Sequence, residues 1–148
     1  MKNKTILMGT DTVSGVAAEI LESIIAASKV QDLPYGNDDF TKETKRIISN
    51  VFEKKEIEII PMMSGTASNS LALATFLRSY GSILCHSESH INKDEGGAPE
   101  FFSGGGKLIT LNSESGRLNA NDIKHKIKLS NFKGKINYKI SGVSITQL

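Results

Sequence analysis

Ile57-Glu58-Ile59-Ile60-Pro61-Met62-Met63, followed at once by Ser64-Gly65-Thr66-Ala67-Ser68-Asn69, is the stretch whose reading decides the fold. β-branched residues closed by a proline suggest a buried strand. Leu71, Ala74, Leu77 and Arg78 then fall at helical spacing. A turn of small residues therefore joins strand to helix. Gly65 lets the backbone approach a ligand closely. Thr66 and the free amides of the first helical turn aim donors, and the positive end of the helix dipole, at an anion. Phosphate suits such a turn. The same residues are also ordinary turn and N-cap chemistry, so this stretch alone leaves both readings open.

Working outward, Ser82-Ile83-Leu84-Cys85-His86 reads as a second short buried strand and Leu108-Ile109-Thr110-Leu111 as a third. Between them lie Ser87 to Glu95, then Gly96-Gly97-Ala98-Pro99 and Gly104-Gly105-Gly106 framing Phe101-Phe102. Asn119 to Leu129 predicts a helix with Ile123 and Ile127 inward, and Val143-Ser144-Ile145-Thr146 alternates as a last strand. Upstream, residues 5 to 13 form a short apolar lead-in. Val16, Ala17, Ile20, Leu21, Ile24 and Ile25 share one face of a first amphipathic helix. Asp32 to Asp39 is rich in turn residues, and a second helix follows with Phe40, Ile47, Ile48, Val51 and Phe52 inward. Strands alternating with helices at this spacing predict an α/β fold with parallel pairing through βαβ units. In such sheets ligands sit at the carboxyl ends of the strands. The Ser64-Gly65-Thr66 turn and the His86 to His90 segment are therefore expected side by side at that edge.

The 148 residues, 39% hydrophobic and 23% charged, fit one ordinary globular domain. A net charge of +2 creates no strong field, so neither nucleic acid nor an anionic membrane is implied as a partner. Lysines in the 119–129 helix continue into Lys133, Lys135 and Lys139, but no aromatic platform accompanies them. No apolar run reaches membrane-spanning length and no signal peptide is read, so a cytoplasmic protein is expected. Cys85 is the single cysteine, which excludes an internal disulfide and a multi-cysteine zinc site and suits a small core residue. His86, Glu88 and His90 raise a metal reading. Histidines four apart share a metal on a helix, however, whereas here one ends a strand and the other follows a loop, so no metal is expected.

Four stretches, in order, resemble the low-specificity L-threonine aldolases of the aromatic amino acid β-eliminating lyase and threonine aldolase family. They are Thr10-Asp11 through Ser14-Gly15; Tyr35-Gly36-Asn37-Asp38; Ser64-Gly65-Thr66-Ala67-Ser68-Asn69-Ser70-Leu71-Ala72-Leu73; and Cys85-His86-Ser87-Glu88-Ser89-His90-Ile91 through Gly97-Ala98-Pro99-Glu100-Phe101-Phe102. The resemblance implies a pyridoxal 5′-phosphate enzyme of fold type I with a mainly parallel sheet. It also implies a homodimer or homotetramer with active sites at a subunit interface, acting on small amino acids. Ser64, Gly65 and Thr66 match the phosphate-binding turn. His90 matches the histidine that stacks on the cofactor ring and can transfer protons. Asp94 matches an acidic position near the substrate hydroxyl, and Thr10 stands where a serine holds the substrate carboxylate.

Met62-Met63-Ser64 departs from the family's usual lead into the turn, and Ala17-Ala18 replaces a His-Pro pair. No lysine here matches the Schiff-base motif. Residues 1–148 are therefore expected to be the N-terminal part of the large domain, ending before that lysine and before the small domain. The expected function is cleavage of L-threonine or allo-threonine-type β-hydroxy-α-amino acids to glycine and an aldehyde, with this length of chain inactive alone. The alternatives are a non-catalytic remnant that binds phosphate ligands or a partner, and a small metal hydrolase using His86 and His90.

Overall fold

The computed structural model describes Gly9, residues 13–131 and residues 138–146. Thr10 and most of the apolar lead-in lie outside the described residues. The chain divides into two compact units, Met1–Ile59 and Ile60–Leu148.

The first unit holds helices α1 (Ala18–Ala27) and α2 (Asp39–Val51). Ala17 at the N-cap of α1 has no side-chain acceptor and caps nothing. Asp38 caps α2, accepting the Thr41 backbone N–H and the Thr41 hydroxyl, each at 2.7 Å. Asp32 accepts the backbone N–H of Leu33 at 2.7 Å and of Asp39 at 3.0 Å. These donors stabilise the ionised carboxylates and hold both below the usual range: the Asp39 and Leu33 amides for Asp32, the Thr41 hydroxyl and amide for Asp38.

Both helices form where the periodicity places them, but neither has a buried residue. Ile20, Ile24, Phe40 and Val51, expected inward, are each more than half exposed. A stripe specifies which face can be buried; burial itself needs an element to cover it.

The second unit contains α3 (Gly65–Ala74), β1 (Gly81–His86), α4 (His90–Lys93), α5 (Ala98–Phe102), β2 (Lys107–Leu111), α6 (Ala120–Ser130) and β3 (Lys139–Val143). The three strands form one parallel sheet in the order β2-β1-β3, as the alternation of elements implies. All six residues of β1 are buried, as a strand paired on both edges requires. Ile83 and Cys85 point to one face of β1 and form the core with Leu73, Leu77 and Ile91, with Leu108 packed against it. Ile83 pairs with Leu108 on one side and with Gly142 on the other. The register slips between Ser82 and Ile83, where Ser141 is the extra residue on β3.

Two expected strands are corrected. Residues 57–63 form no strand among the described residues. Ile57 and Ile59 are half-buried while Glu58 and Ile60 are exposed, so the alternation survives. A ladder also needs a neighbour's backbone groups, and among the described residues none bonds to the backbone of 57–63. The last strand is Lys139–Val143 rather than 143–146. Its place is set by backbone pairing to β1, which Lys139 and Gly142 satisfy as well as any apolar residue; Ser144 still donates to the Leu84 carbonyl at 2.8 Å.

Helix α6 begins at its Asn119 cap as the sequence suggests. Its inward side is only partly covered, with Ile123 half-buried and Ile127 36% exposed. Among the described residues no helix is long and apolar enough to cross a membrane.

Candidate functional site

The site starts at the first turn of α3. Ser64 is extended (φ −154°, ψ 161°), and its Oγ accepts the Ala67 N–H at 3.2 Å. Ser68 N–H returns to the Ser64 carbonyl at 3.1 Å. The amides of Gly65 and Thr66, the first two of the helix, have no partner among the described residues, as geometry dictates at a helix start. A Cβ built on Gly65 meets nothing within 4 Å, so the approach to these amides is open. Donors, dipole and open space together suit a phosphate group.

His90 opens α4, just beyond the carboxyl end of β1, with its side chain 52% exposed. The edge of its ring is fixed by Glu95, whose Oε1 lies 2.7 Å from His90 Nδ1. The same oxygen accepts Asn69 Nδ2–H at 2.6 Å. Asn69 stands one helical turn after Gly65, on the same face of α3. The phosphate-suited turn and His90 are thus joined through two hydrogen bonds to one carboxylate oxygen. The Glu95 side chain is fully buried.

Neither Glu95 nor Asn69 stood among the sequence candidates; the acidic residue read there was its neighbour Asp94. Asp94 is the C-cap of α4, exposed, with its N–H on the His90 carbonyl at 2.9 Å and no side-chain hydrogen bond among the described residues. The chain turns through Gly96 and Gly97, both left-handed (φ 58° and 80°), and brings Glu95 rather than Asp94 under the imidazole. The available signal was a carboxylate followed by two glycines five residues after the histidine. Thr10, the substrate-binding candidate, lies outside the described residues.

His86 plays a different part. It is buried, with Nδ1 facing the Glu88 N–H and Nε2 facing the Ser113 N–H, each at 3.1 Å. Its ring ties the end of β1 to the segment after β2, Nδ1 facing backbone and Nε2 facing both the Ser113 N–H and the Ser113 hydroxyl, whose Oγ lies at 3.3 Å. Cys85 is fully buried, and that burial pushes its thiol up, away from the reactive thiolate. A cavity of about 290 Å³ elsewhere in this unit, bounded by Ile109, Lys126, Tyr138 and Ile140 among others, shares no residue with the His90 site.

With this geometry in view, the comparisons with known proteins place the chain. The beta-eliminating lyase family model matches residues 8–146. The chain belongs to that family. It is 36% identical over 124 residues to the low specificity L-threonine aldolase of Pseudomonas aeruginosa, covering 84% of this chain and 36% of that protein. The low specificity L-threonine aldolase of Pseudomonas sp. (strain NCIMB 10558) matches at the same identity and coverage. The chain therefore spans about a third of the length of these relatives. A solved structure of Leishmania major threonine aldolase superposes with a TM-score of 0.79 over 89% of this chain and 37% of that one, at 23% identity. That likeness establishes the shared α/β fold.

Proposed function

We propose that this chain forms part of the cofactor-binding large domain of a pyridoxal 5′-phosphate-dependent threonine aldolase. In this reading the full-length enzyme cleaves β-hydroxy-α-amino acids of the threonine and allo-threonine type to glycine and an aldehyde, working as a cytoplasmic homodimer or homotetramer. The observation that carries the reading is the link from the open, donor-rich turn of α3 through Asn69 and Glu95 to His90. It puts an anion seat and a flat, half-exposed imidazole on one connected framework. The 36% identity to two threonine aldolases supports the substrate class.

When bound, pyridoxal phosphate supplies the electron sink for carbon–carbon cleavage. The amides of Gly65 and Thr66 and the hydroxyls of Ser64 and Thr66 would hold its phosphate through charge-assisted hydrogen bonds, stronger than neutral ones. The face of His90 would pack on the cofactor's ring, and His90 Nε2 would be placed to take or return a proton at the substrate. By the resemblance, Asp94, exposed next to Glu95, would serve the substrate hydroxyl and Thr10 the substrate carboxylate.

The test is a chimaera joining this chain to the remaining length of the Pseudomonas aeruginosa relative, with cofactor titration and glycine release as readouts. Thr66→Val removes one hydroxyl from a charged acceptor, a loss of about 1.5–3 kcal/mol, so cofactor affinity should fall about tenfold or more. Gly65→Ala adds a methyl group in the open approach and should weaken the cofactor without disturbing the fold. Cofactor binding with no glycine formed would instead favour a phosphate-ligand module without turnover. Unchanged affinity in both variants would remove the α3 turn from the site.

A further inference from the structure

We infer that Glu95 is a positioning residue that fixes the tautomer of His90, leaving Nδ1 protonated and presenting the Nε2 lone pair at the exposed edge of the ring. Nothing in the family resemblance or in the comparisons assigns Glu95 a role. Three observations carry the inference.

First, the Glu95 side chain has no solvent exposure, whereas that of His90 is 52% exposed, so the imidazole is held from its buried side and free on the other. Second, Oε1 receives two contacts, Asn69 Nδ2 at 2.6 Å and His90 Nδ1 at 2.7 Å, which is the pattern of one carboxyl oxygen accepting from two N–H donors. Third, Glu95 Oε2 is buried with no hydrogen-bond partner among the described residues, so the anchoring runs through Oε1 alone. Water cannot easily replace the imidazole as a donor to a carboxylate buried this deeply.

A free neutral imidazole is not confined to the Nδ1–H form; the hydrogen bond made by one nitrogen decides what the other can do. With Nδ1–H donated to Glu95, the Nε2 lone pair is left as the acceptor at the exposed edge of the ring. Asn69 keeps Glu95 in place and ties its position to the helix that begins at Gly65. The functional consequence rests on the aldolase reading, since it supplies a proton acceptor beside the cofactor. The tautomer itself does not.

The experiment is nitrogen-15 NMR of the histidine rings in the 148-residue chain, without pyridoxal phosphate, at about pH 9, well above the ordinary imidazole range. The parent should show His90 in the Nδ1–H form over Nε2–H by about tenfold or more, the scale of one hydrogen bond to a charged group. Glu95→Ala should let the Nε2–H form predominate. Glu95→Gln should lower the ratio at least several-fold, since an amide oxygen is the weaker acceptor and the amide nitrogen can donate to Nδ1. Asn69→Ala should lower it by less, and Glu100→Gln, in the next helix, should not change it. The Ile83 amide resonance reports the fold, and if Glu95→Ala loses it, Glu95→Gln and Asn69→Ala decide. A parent His90 in the Nε2–H form, or a ratio unchanged in Glu95→Gln, overturns the inference. Because no cofactor is present, that failure leaves the aldolase reading intact; failure of the Thr66 and Gly65 tests would leave the tautomer standing.

Discussion

In the aldolase reading proposed above, the ring face of His90 packs on the cofactor while its nitrogens handle a proton, and substitutions separate the two. His90→Phe keeps a flat ring and removes both nitrogens, while His90→Ala removes everything beyond Cβ. In the chimaera, the Phe variant should hold pyridoxal phosphate near the parent affinity, whereas the Ala variant should lose on the order of 1 kcal/mol or more, the scale of aromatic stacking. Both should lose roughly 100-fold or more in glycine release, the scale of a general acid–base contribution. Equal release by the parent and the Phe variant would leave His90 as a platform only. Glycines make a contrasting pair. Open space surrounds Gly65, whereas a Cβ at Gly106 would sit 2.7 Å from Leu77 Cγ and 2.8 Å from Ser103 Oγ. Leu77 is a core residue with little room to retreat. Gly106→Ala should therefore lower stability by about 1–3 kcal/mol in urea unfolding, and Gly65→Ala should not. A stable Gly106→Ala chain would show that the core around Leu77 is looser than its burial indicates.

At the scale of the element, α2 depends on a titratable cap. The Asp38 carboxylate is held below its usual range by Thr41, so the folded state binds this proton less readily than the unfolded chain. The stabilisation is present above the unfolded value near 3.9 and is lost as pH falls through the lower folded value. Acidification below about pH 4 should therefore fray the start of α2, seen as loss of protection at Thr41 and Lys42 in amide hydrogen exchange. Asp38→Asn keeps an oxygen to accept the Thr41 N–H and cannot titrate, so it should flatten that pH dependence. A helix start equally protected at pH 3 and pH 6 in the parent would show that the cap hydrogen bonds are not used. Element identity followed closely from local pattern: α2 from the turn-rich segment before it and its spacing, α6 from Asn119, and β1 and β2 from short apolar runs. The two strand errors, at 57–63 and 143–146, share a cause. Alternation of side chains shows that a segment is extended, but a strand is made by the backbone beside it.

For the molecule as a whole, burial is uneven. Every buried residue among those described lies in the second unit, around β1. The helices of the first unit carry apolar stripes with Ile20, Ile24, Phe40 and Val51 more than half exposed. Local opening requires little loss of buried surface there, whereas opening β1 exposes the core. Brief protease treatment of the 148-residue chain should therefore cut within residues 13–59 first and leave a product containing Gly81 to Val143, identified by mass spectrometry. Early cleavage within β1 or β2 at the same rate would contradict this ordering.

The sequence by itself determined the α/β class, the parallel sheet around a buried Ile83-Leu84-Cys85 and the helix that begins at Ser64-Gly65-Thr66, because each is written in local spacing or in a contiguous motif. It also held the family membership, which a match across residues 8–146 establishes. Only the tertiary structure decided that Glu95, rather than Asp94, lies against the imidazole. A four-residue helix followed by two left-handed glycines sets that direction, and a one-residue difference in a tight turn reverses which side chain points inward. The pairing of Asn69 with the same oxygen spans twenty-six residues of sequence and depends on where α3 meets the turn after α4. No local pattern encodes such a meeting, because it is fixed by tertiary packing, of α3 against α5 and of α4 against β1, and not by the preferences of the residues that meet.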